Sequence, residues 1–459
     1  MARRMTTPST VDEALHQTIT DMLNGTRIEG TKETSYEVLH YRTGMTKPRA
    51  RIAAHPARSL NIVGAIARFV WMIAGSNRLE DIAYYEEKVR GYTDNDLTVP
   101  GSSYGKRLFD AAPGLDQIQG AIARLDGDRD TRQAAAVVWV PEDAVRASND
   151  IPCTFGMFFH IRNDQLVMCT VMRSNNAFRL LPFNFFEFSL LGEMIAATLN
   201  VPFGEYVHFA ASMHIYDNFE MDKTRQLAAD GPAQSVEMPP MPGTDHDRLK
   251  RAAEIGDERA QELATPIGQA TELARLEAQL RHAHNAAEFD AVLTAAGNKL
   301  NDYWLALFKV LAAWGAAKRE LPALVEQLTA ELPAYLRARV QAGIAKAFPQ
   351  VTQTHPATGG EQQGTLDFDL ALDLPTFNPA AAAAAQAAQE AATLAAVEAV
   401  VDFHRREPFD IAKLPRVVKS LSQNDVALAA RSEVRSEGAR SDRFLFTEDM
   451  IRTAIARVS

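Results

Sequence analysis

Residues Ile151–Tyr216 read IPCTFGMFFHIRNDQLVMCTVMRSNNAFRLLPFNFFEFSLLGEMIAATLNVPFGEYVHFAASMHIY. Two strand-like runs, Met157–Ile161 and Leu166–Met172, flank Asn163-Asp164, a pair suited to a hairpin turn. Phe185–Leu199 is apolar almost all round and reads as a buried helix. Glu205–Ile215 reads as a further strand. On this frame sit the residues that carry chemistry. They are Cys153 behind a proline, the pair Arg173-Ser174, Asn184 after Pro182-Phe183, and His214 with Tyr216, which alternate along a strand and so share a face.

Each of these has a bland reading beside its chemical one. Cys153 is a small apolar residue near a strand, or a thiolate nucleophile whose pKa a nearby cation lowers; Arg173 is one strand pair away. Arg173-Ser174 is a surface pair, or a guanidinium fork with an added hydroxyl for phosphate oxygens, which Arg42 and Arg132 would join. Asn184 is a helix-start residue, or an amide that both donates to and accepts from a pyrimidine edge. His214 and Tyr216 are ordinary strand residues, or hydrogen bonders to a ribose.

Upstream, a helix over VDEALHQTITDMLNG, a strand at Ser35–Tyr41 and a turn at Arg42-Thr43-Gly44 are expected. Asn61–Ala74 reads as a buried helix ended by Gly75, and Leu79–Val89 as another. Pro100–Ser103 is a loop into Tyr104-Gly105-Lys106; Gly114–Leu125 reads as an amphipathic helix and Ala134–Val140 as a strand. Together these make a mixed α+β domain over residues 1–229. Downstream, Pro232, Pro239, Pro240 and Pro242 mark a linker. Residues 245–347 read as a helical bundle, 348–378 as a linker, and 379–459 as an Ala-rich helical tail opened by Asn378-Pro379.

Composition narrows the setting. The chain has 459 residues, 46% of them hydrophobic and 23% charged, which is ordinary for a globular protein of two or three domains. A formal net charge of -10 argues against a nucleic-acid coat and leaves room for one local phosphate pocket. Two cysteines, Cys153 and Cys169, make no disulfide framework and fit a reducing compartment. The basic N-terminus lacks an apolar core behind it, and the most apolar windows carry Arg68, Glu187 or Glu193, so neither a secretory leader nor a membrane span is expected. The expectation is a cytoplasmic protein, in the host cytoplasm if viral, with no metal site.

The order and spacing of the motifs say more than any one residue. Pro152-Cys153, Arg173-Ser174, Leu181-Pro182-Phe183-Asn184, Gly204-Glu205-Tyr206-Val207-His208 and His214-Ile215-Tyr216 resemble the thymidylate synthase family, which includes the pyrimidine-nucleotide hydroxymethylases. Arg42-Thr43-Gly44, Trp71 within RFVWMIAG, Tyr104-Gly105-Lys106 and Asp130-Thr131-Arg132 extend the resemblance over residues 10–227. It implies a thymidylate synthase-like mixed-sheet α+β fold with an all-α C-terminal extension, and a homodimer formed through the sheet. It implies that Cys153 adds to C6 of a uracil nucleotide, dUMP first among them, with Tyr104 in the proton network at C5. Arg42, Arg173, Ser174 and a second subunit's Arg132 would hold the phosphate, Asn184 the base, and His214 and Tyr216 the ribose. The one-carbon donor would be 5,10-methylenetetrahydrofolate, beside Trp71 and Asn176.

Departures from the family fall mostly on the folate side. A glutamate three residues before Trp71 is here Arg68. On an ungapped alignment Arg90 stands for a pterin-pocket tryptophan, Asn176 for an aspartate and Leu180 for a glycine. Met172 replaces a glutamine and Thr154 a histidine, and the family's last strand and closing tail are not recognisable after Leu227. An active site open to water would yield 5-hydroxymethyl-dUMP in place of dTMP. A nucleotide-binding protein of the same fold with altered catalysis is the alternative.

Overall fold

The computed structural model describes residues 7–29, 33–283 and 285–352. One six-stranded sheet organises it, formed by β1 (Thr26–Ile28), β2 (Ser35–Met45), β3 (Ala135–Val137), β4 (Thr154–Arg162), β5 (Gln165–Asn176) and β6 (Phe203–Tyr216). The strand order is β1-β2-β6-β5-β4-β3. All neighbours are antiparallel except β5 and β6. The β4–β5 turn is the expected one: Asn163 and Asp164 both take positive φ, 50° and 57°, which matches the right-handed strand twist.

Parallel neighbours need a crossover, and the apolar run supplies it as a helix. The helices in chain order are α1 (Val11–Leu23), α2 (Ile62–Ile73), α3 (Leu79–Ala83), α4 (Tyr104–Phe109), α5 (Gln117–Gly127), α6 (Leu181–Thr198) and α7 (Met221–Asp230). Every residue of α6 from Leu181 to Ala196 is buried. It lies between the sheet, α1 and α2, so all of its sides need apolar cover. The opposite sheet face carries half-buried Val167, Cys169, Val171, Val207 and Phe209, with Phe158 exposed beside them.

Two local expectations change. The expected turn at Arg42-Thr43-Gly44 is strand: these residues pair with Phe209, His208 and Val207. Gly44 brings the β2 backbone close to the Tyr206 carbonyl, where a side chain would clash, so the glycine marks close strand approach rather than a turn. The expected helix Leu79–Val89 breaks into α3 and a 3-10 turn, Glu87–Tyr92.

The downstream helices are α8 (His246–Glu254), α9 (Glu258–Glu262), α10 (Pro266–His282), α11 (Ala286–Lys299), α12 (Asp302–Lys318), α13 (Pro322–Ala330) and α14 (Ala334–Ala347). Among the described residues, these helices and the sheet fall in one compact unit. Helices α10, α12 and α14 pack on α2, where Phe69 stacks on buried Trp304 with centroids 6.2 Å apart. The proline-marked segment is docked as well. Val236 bridges to Ile52, Met238 and Met241 are buried, and the Met241 N–H donates to Glu193, which also holds buried Arg51. Val140–Asn149 belongs to a second unit; within it Arg146 pairs with Asp143 at 2.9 Å. The expected linker beyond residue 352 and the 379–459 tail lie outside the described residues. Among the described residues no helix is long and apolar enough to cross a membrane.

Candidate active site

Cys153 sits at the entry to β4, and Arg173 on β5 fixes the loop that carries it. The Arg173 N–H donates to the Cys153 carbonyl at 2.8 Å. Its Nε and Nη2 donate to the carbonyls of Pro152 and Ile151, both at 2.9 Å. The guanidinium carbon lies 5.9 Å from the Trp139 ring centroid. A rigid fork with two of its arms on consecutive carbonyls sets the loop and brings a positive charge to the backbone that carries Cys153.

Tyr104 opens α4 on the other side of Cys153. Gly105 lets the α4 backbone press against Met72 at the end of α2, where a Cβ has no room. The Tyr104 ring stacks near Phe188 of α6, centroids 6.0 Å apart. Burial pushes the phenol far above its ordinary range, and a negative charge on Cys153 adds to that. Tyr104 is therefore protonated at neutral pH.

At the far end of β5 and β6 the expected sugar and base residues meet. The Ser174 hydroxyl is 3.4 Å from His214 Nδ1, and the His214 and Tyr216 rings are 5.0 Å apart, edge to face. Burial, with the charges of Arg179 and Arg173, brings the His214 pKa down to about 4, so the imidazole is neutral at pH 7. Asn175 Nδ2 donates to Asn184 Oδ1 at 2.7 Å. The Asn184 amide nitrogen has no partner among the described residues. Asn176, paired across the ladder with His214, accepts from the Arg179 N–H at 2.7 Å, and its Nδ2 is buried without a partner. Trp71 is 9% exposed, and its Nε1 is likewise buried and unpartnered.

Arg42 lies elsewhere, and Arg132, expected to serve a second subunit's site, is also remote from this chain's own. Arg42 pairs with Phe209 on β6, five residues before His214, a separation of about 17 Å along a strand. Its side chain turns further away, to Glu205 at 3.3 Å. Arg132 precedes β3 at the far edge of the sheet, exposed and near His160. Arg90 is exposed and bound to Glu80 and Glu87.

The fold also brings in Arg179 and Arg58, which the sequence reading did not single out, together with Arg68 and Glu187, which it noted without a role at the site. Arg179 lies over the Tyr216 ring at 5.3 Å and donates to Glu220 at 2.5 Å. Arg58 donates to the carbonyls of Phe178 and Arg179, both at 2.6 Å. Arg58 and Arg68 lie 5.5 and 5.0 Å from the centroid of Phe183. Arg68 makes three hydrogen bonds to Glu86, the shortest 2.6 Å. Beside that pair is Glu187, 5% exposed, with Oε1 unpartnered. Burial raises its carboxyl to about 7 against the pull of Arg68. The available signal was a charge one helical turn after Asn184 inside an apolar run.

The chain matches the family model for thymidylate synthase over residues 15–242. A putative thymidylate synthase of Methanocaldococcus jannaschii is 34% identical over 148 residues, covering 30% of this chain and 67% of that protein. The chain belongs to the thymidylate synthase family. A deoxyuridylate hydroxymethyltransferase of Pseudomonas phage M6 is 30% identical over 202 residues, 42% of this chain. The match spans 56% of the phage protein, a little over half its length. A thymidylate synthase of Francisella tularensis subsp. holarctica is 27% identical over 187 residues, 37% of this chain and 67% of that protein. In this thymidylate synthase family member the matched region contains the whole sheet and every residue of the candidate site.

Proposed function

We propose that the protein transfers a one-carbon unit to C5 of a uracil nucleotide, dUMP first among them, and that it releases 5-hydroxymethyl-dUMP. The observation that carries this reading is the Cys153 loop, pinned by Arg173 and faced by Tyr104. The Cys153 thiolate adds to C6 of the base, and the C5–C6 electron pair moves onto C5 and O4. Asn184 reads that edge. With Asn175 already donating to its oxygen, its amide nitrogen is left to donate to O4, where negative charge develops. This favours uracil, whose O4 accepts, over cytosine, whose 4-amino group donates. After the carbon is attached, C5 loses its proton and the C6–S bond breaks to return the thiolate.

Arg173 and Ser174 hold the phosphate, with Arg132 of the partner subunit. Neutral His214 and Tyr216 bind the ribose hydroxyl. The family uses methylenetetrahydrofolate in general. Two buried donors without partners among the described residues, Asn176 Nδ2 and Trp71 Nε1, suit the acceptor edge of a pterin. When bound, that cofactor supplies the carbon. The half-apolar open face of the sheet, with Val171, Val207 and Phe209, supports a homodimer. A Phe209→Asp variant then sediments as a monomer; a wild-type protein that is itself monomeric refutes the pairing.

The test is incubation with dUMP tritiated at C5 and methylenetetrahydrofolate. Expected are tritium release and a product with the mass of 5-hydroxymethyl-dUMP. Both fall on the order of 10⁴-fold or more in Cys153→Ala, as for removal of a nucleophile. Wild-type protein that releases no tritium and forms neither 5-hydroxymethyl-dUMP nor dTMP sinks the reading.

A further inference from the structure

Three carboxylates surround Tyr104 and Arg68, and two of them are fully engaged. Asp150 accepts from the N–H groups of Gly101 and Ser102 and from the Ser102 hydroxyl at 2.5 to 2.7 Å. Glu86 takes the Arg68 guanidinium on both oxygens. Glu187 is the third. It is buried in the middle of α6, and its Oε1 has no hydrogen-bond partner among the described residues. A buried carboxylate oxygen left unpaired costs free energy that a purely structural site avoids, and a bound molecule or water is the usual reason. Glu187 follows Asn184 by three residues and so shares its helix face. Its charge is felt by Tyr104 on α4 and Tyr206 on β6. It therefore lies on the helix face of the amide assigned to the base and within electrostatic reach of the nucleophile's neighbour.

We propose that Glu187 is a catalytic base of this enzyme, which takes a proton from the water that attacks the exocyclic carbon at C5. The proposal rests on the C5-transfer reading above. In the step, the water oxygen bonds to the exocyclic methylene carbon and one water proton moves to the Glu187 carboxylate. The pair of the C5–methylene double bond shifts onto C5 and O4. It then re-forms the C5–C6 double bond as the C6–S bond breaks and Cys153 leaves as thiolate. The product is the hydroxymethyl nucleotide, and Glu187 returns its proton to solvent.

The charge balance around Glu187 suits a base at neutral pH. Burial raises its pKa, Arg68 on α2 lowers it and Glu86 raises it, to about 7; Tyr104 and Tyr206, both neutral, complete the set of titratable groups facing it. A base with a pKa near the working pH is the most effective. The Arg68–Glu86 pair makes this adjustable: with Glu86 neutralised, Arg68 is freed and the carboxyl of Glu187 titrates lower.

The experiment measures tritium release and product formation by wild type, Glu187→Gln, Glu187→Asp and Glu86→Gln across pH. Glu187→Gln is expected to bind dUMP and to release tritium in its first turnover as wild type does, while steady-state hydroxymethyl product, and tritium release with it, falls about 10²-fold or more, the usual worth of a general base. Glu187→Asp recovers part of the loss. Wild-type product formation falls below a pH near 7, and Glu86→Gln moves that limb to lower pH. This last readout needs no Glu187 variant to fold, and a merely structural carboxylate would not move it. Glu187→Gln forming product at the wild-type rate, or an unmoved limb in Glu86→Gln, overturns the role of Glu187 alone. A wild type without tritium release overturns the C5-transfer reading and this role with it.

Discussion

Glu187 and Glu272 are both buried glutamates inside helices, and the fold treats them in opposite ways. Glu272, on α10, has a side chain with no exposed surface and three cations around it: Arg259, Arg275 at 2.6 Å and Lys299 at 3.2 Å. Glu277, one turn on, is likewise paired, with Tyr85 at 2.7 Å and Arg281 at 2.6 Å. Glu187, on α6, has Arg68 nearby, yet that guanidinium is committed to Glu86. The same side chain serves structure where its charge is matched, and is left available for chemistry where the matching cation is drawn off. The contrast is local to the candidate site. Elsewhere in the sheet region Glu193 and Glu220 are matched by Arg51 and Arg179, while around the site Glu187 Oε1, Asn175 Oδ1 and Asn176 Nδ2 have no partner among the described residues.

The largest effect expected from this contrast is on stability. Glu272→Lys puts a fourth positive charge beside Arg259, Arg275 and Lys299 at a position with no exposed surface, and should cost about 3 to 5 kcal/mol in urea unfolding, as for an uncompensated buried charge. Tritium release per folded molecule should stay at the wild-type level. A loss below 1 kcal/mol would place Glu272 with solvated surface charges and break the contrast.

Glu187→Gln should act in the other direction and depend on pH. The folded carboxyl is raised from 4.5 to about 7, so between these values the folded state holds a proton that the unfolded state has lost. Stability from this group is fully present below pH 4.5 and falls as pH rises through about 7. The shift corresponds to about 3 kcal/mol, which the glutamine variant does not lose. The variant should therefore gain on wild type by that amount from below pH 4.5 to above pH 7, read from urea midpoints. His208 runs the opposite way. Burial takes it down to about 3, so its contribution is present above 6.5 and is lost on acidification, and a parallel His208→Gln series separates the two slopes.

The smallest effect belongs to an exposed pair. Arg42 and Glu205 have side chains 48% and 30% exposed, and Arg42→Ala should cost less than about 1 kcal/mol. Its position, about 17 Å along the sheet from His214, gives an unchanged dUMP affinity by calorimetry. A tenfold loss of affinity would return Arg42 to the phosphate site.

Much of the site was legible because its parts are local or ordered along the chain. Asn163-Asp164 names its own turn through backbone preference, and the unbroken apolar runs name α2 and α6 because only a helix covered on every side tolerates them. Cys153, Arg173, Ser174, Asn184, His214 and Tyr216 stand in the family's order, and neighbouring strands deliver them to one end of the sheet. Arg42 was misread because Arg-Thr-Gly has turn composition, whereas ten residue pairs with β6 hold it in a strand. Glu187 appeared only as a charge that spoils a membrane span.

The sequence by itself determined the fold class and the family, since these rest on periodicity and on motif order, and it nominated the residues proposed here for the nucleotide. Only the tertiary structure decided which charges are matched. It committed Arg68 to Glu86, 18 residues away, turned Arg42 toward Glu205, docked the helical half on α2, and left the Glu187 oxygen alone. The physical reason is that a buried group's proton affinity and partner count are set by desolvation and by neighbours from distant segments, and neither is written in the spacing of residues along the chain.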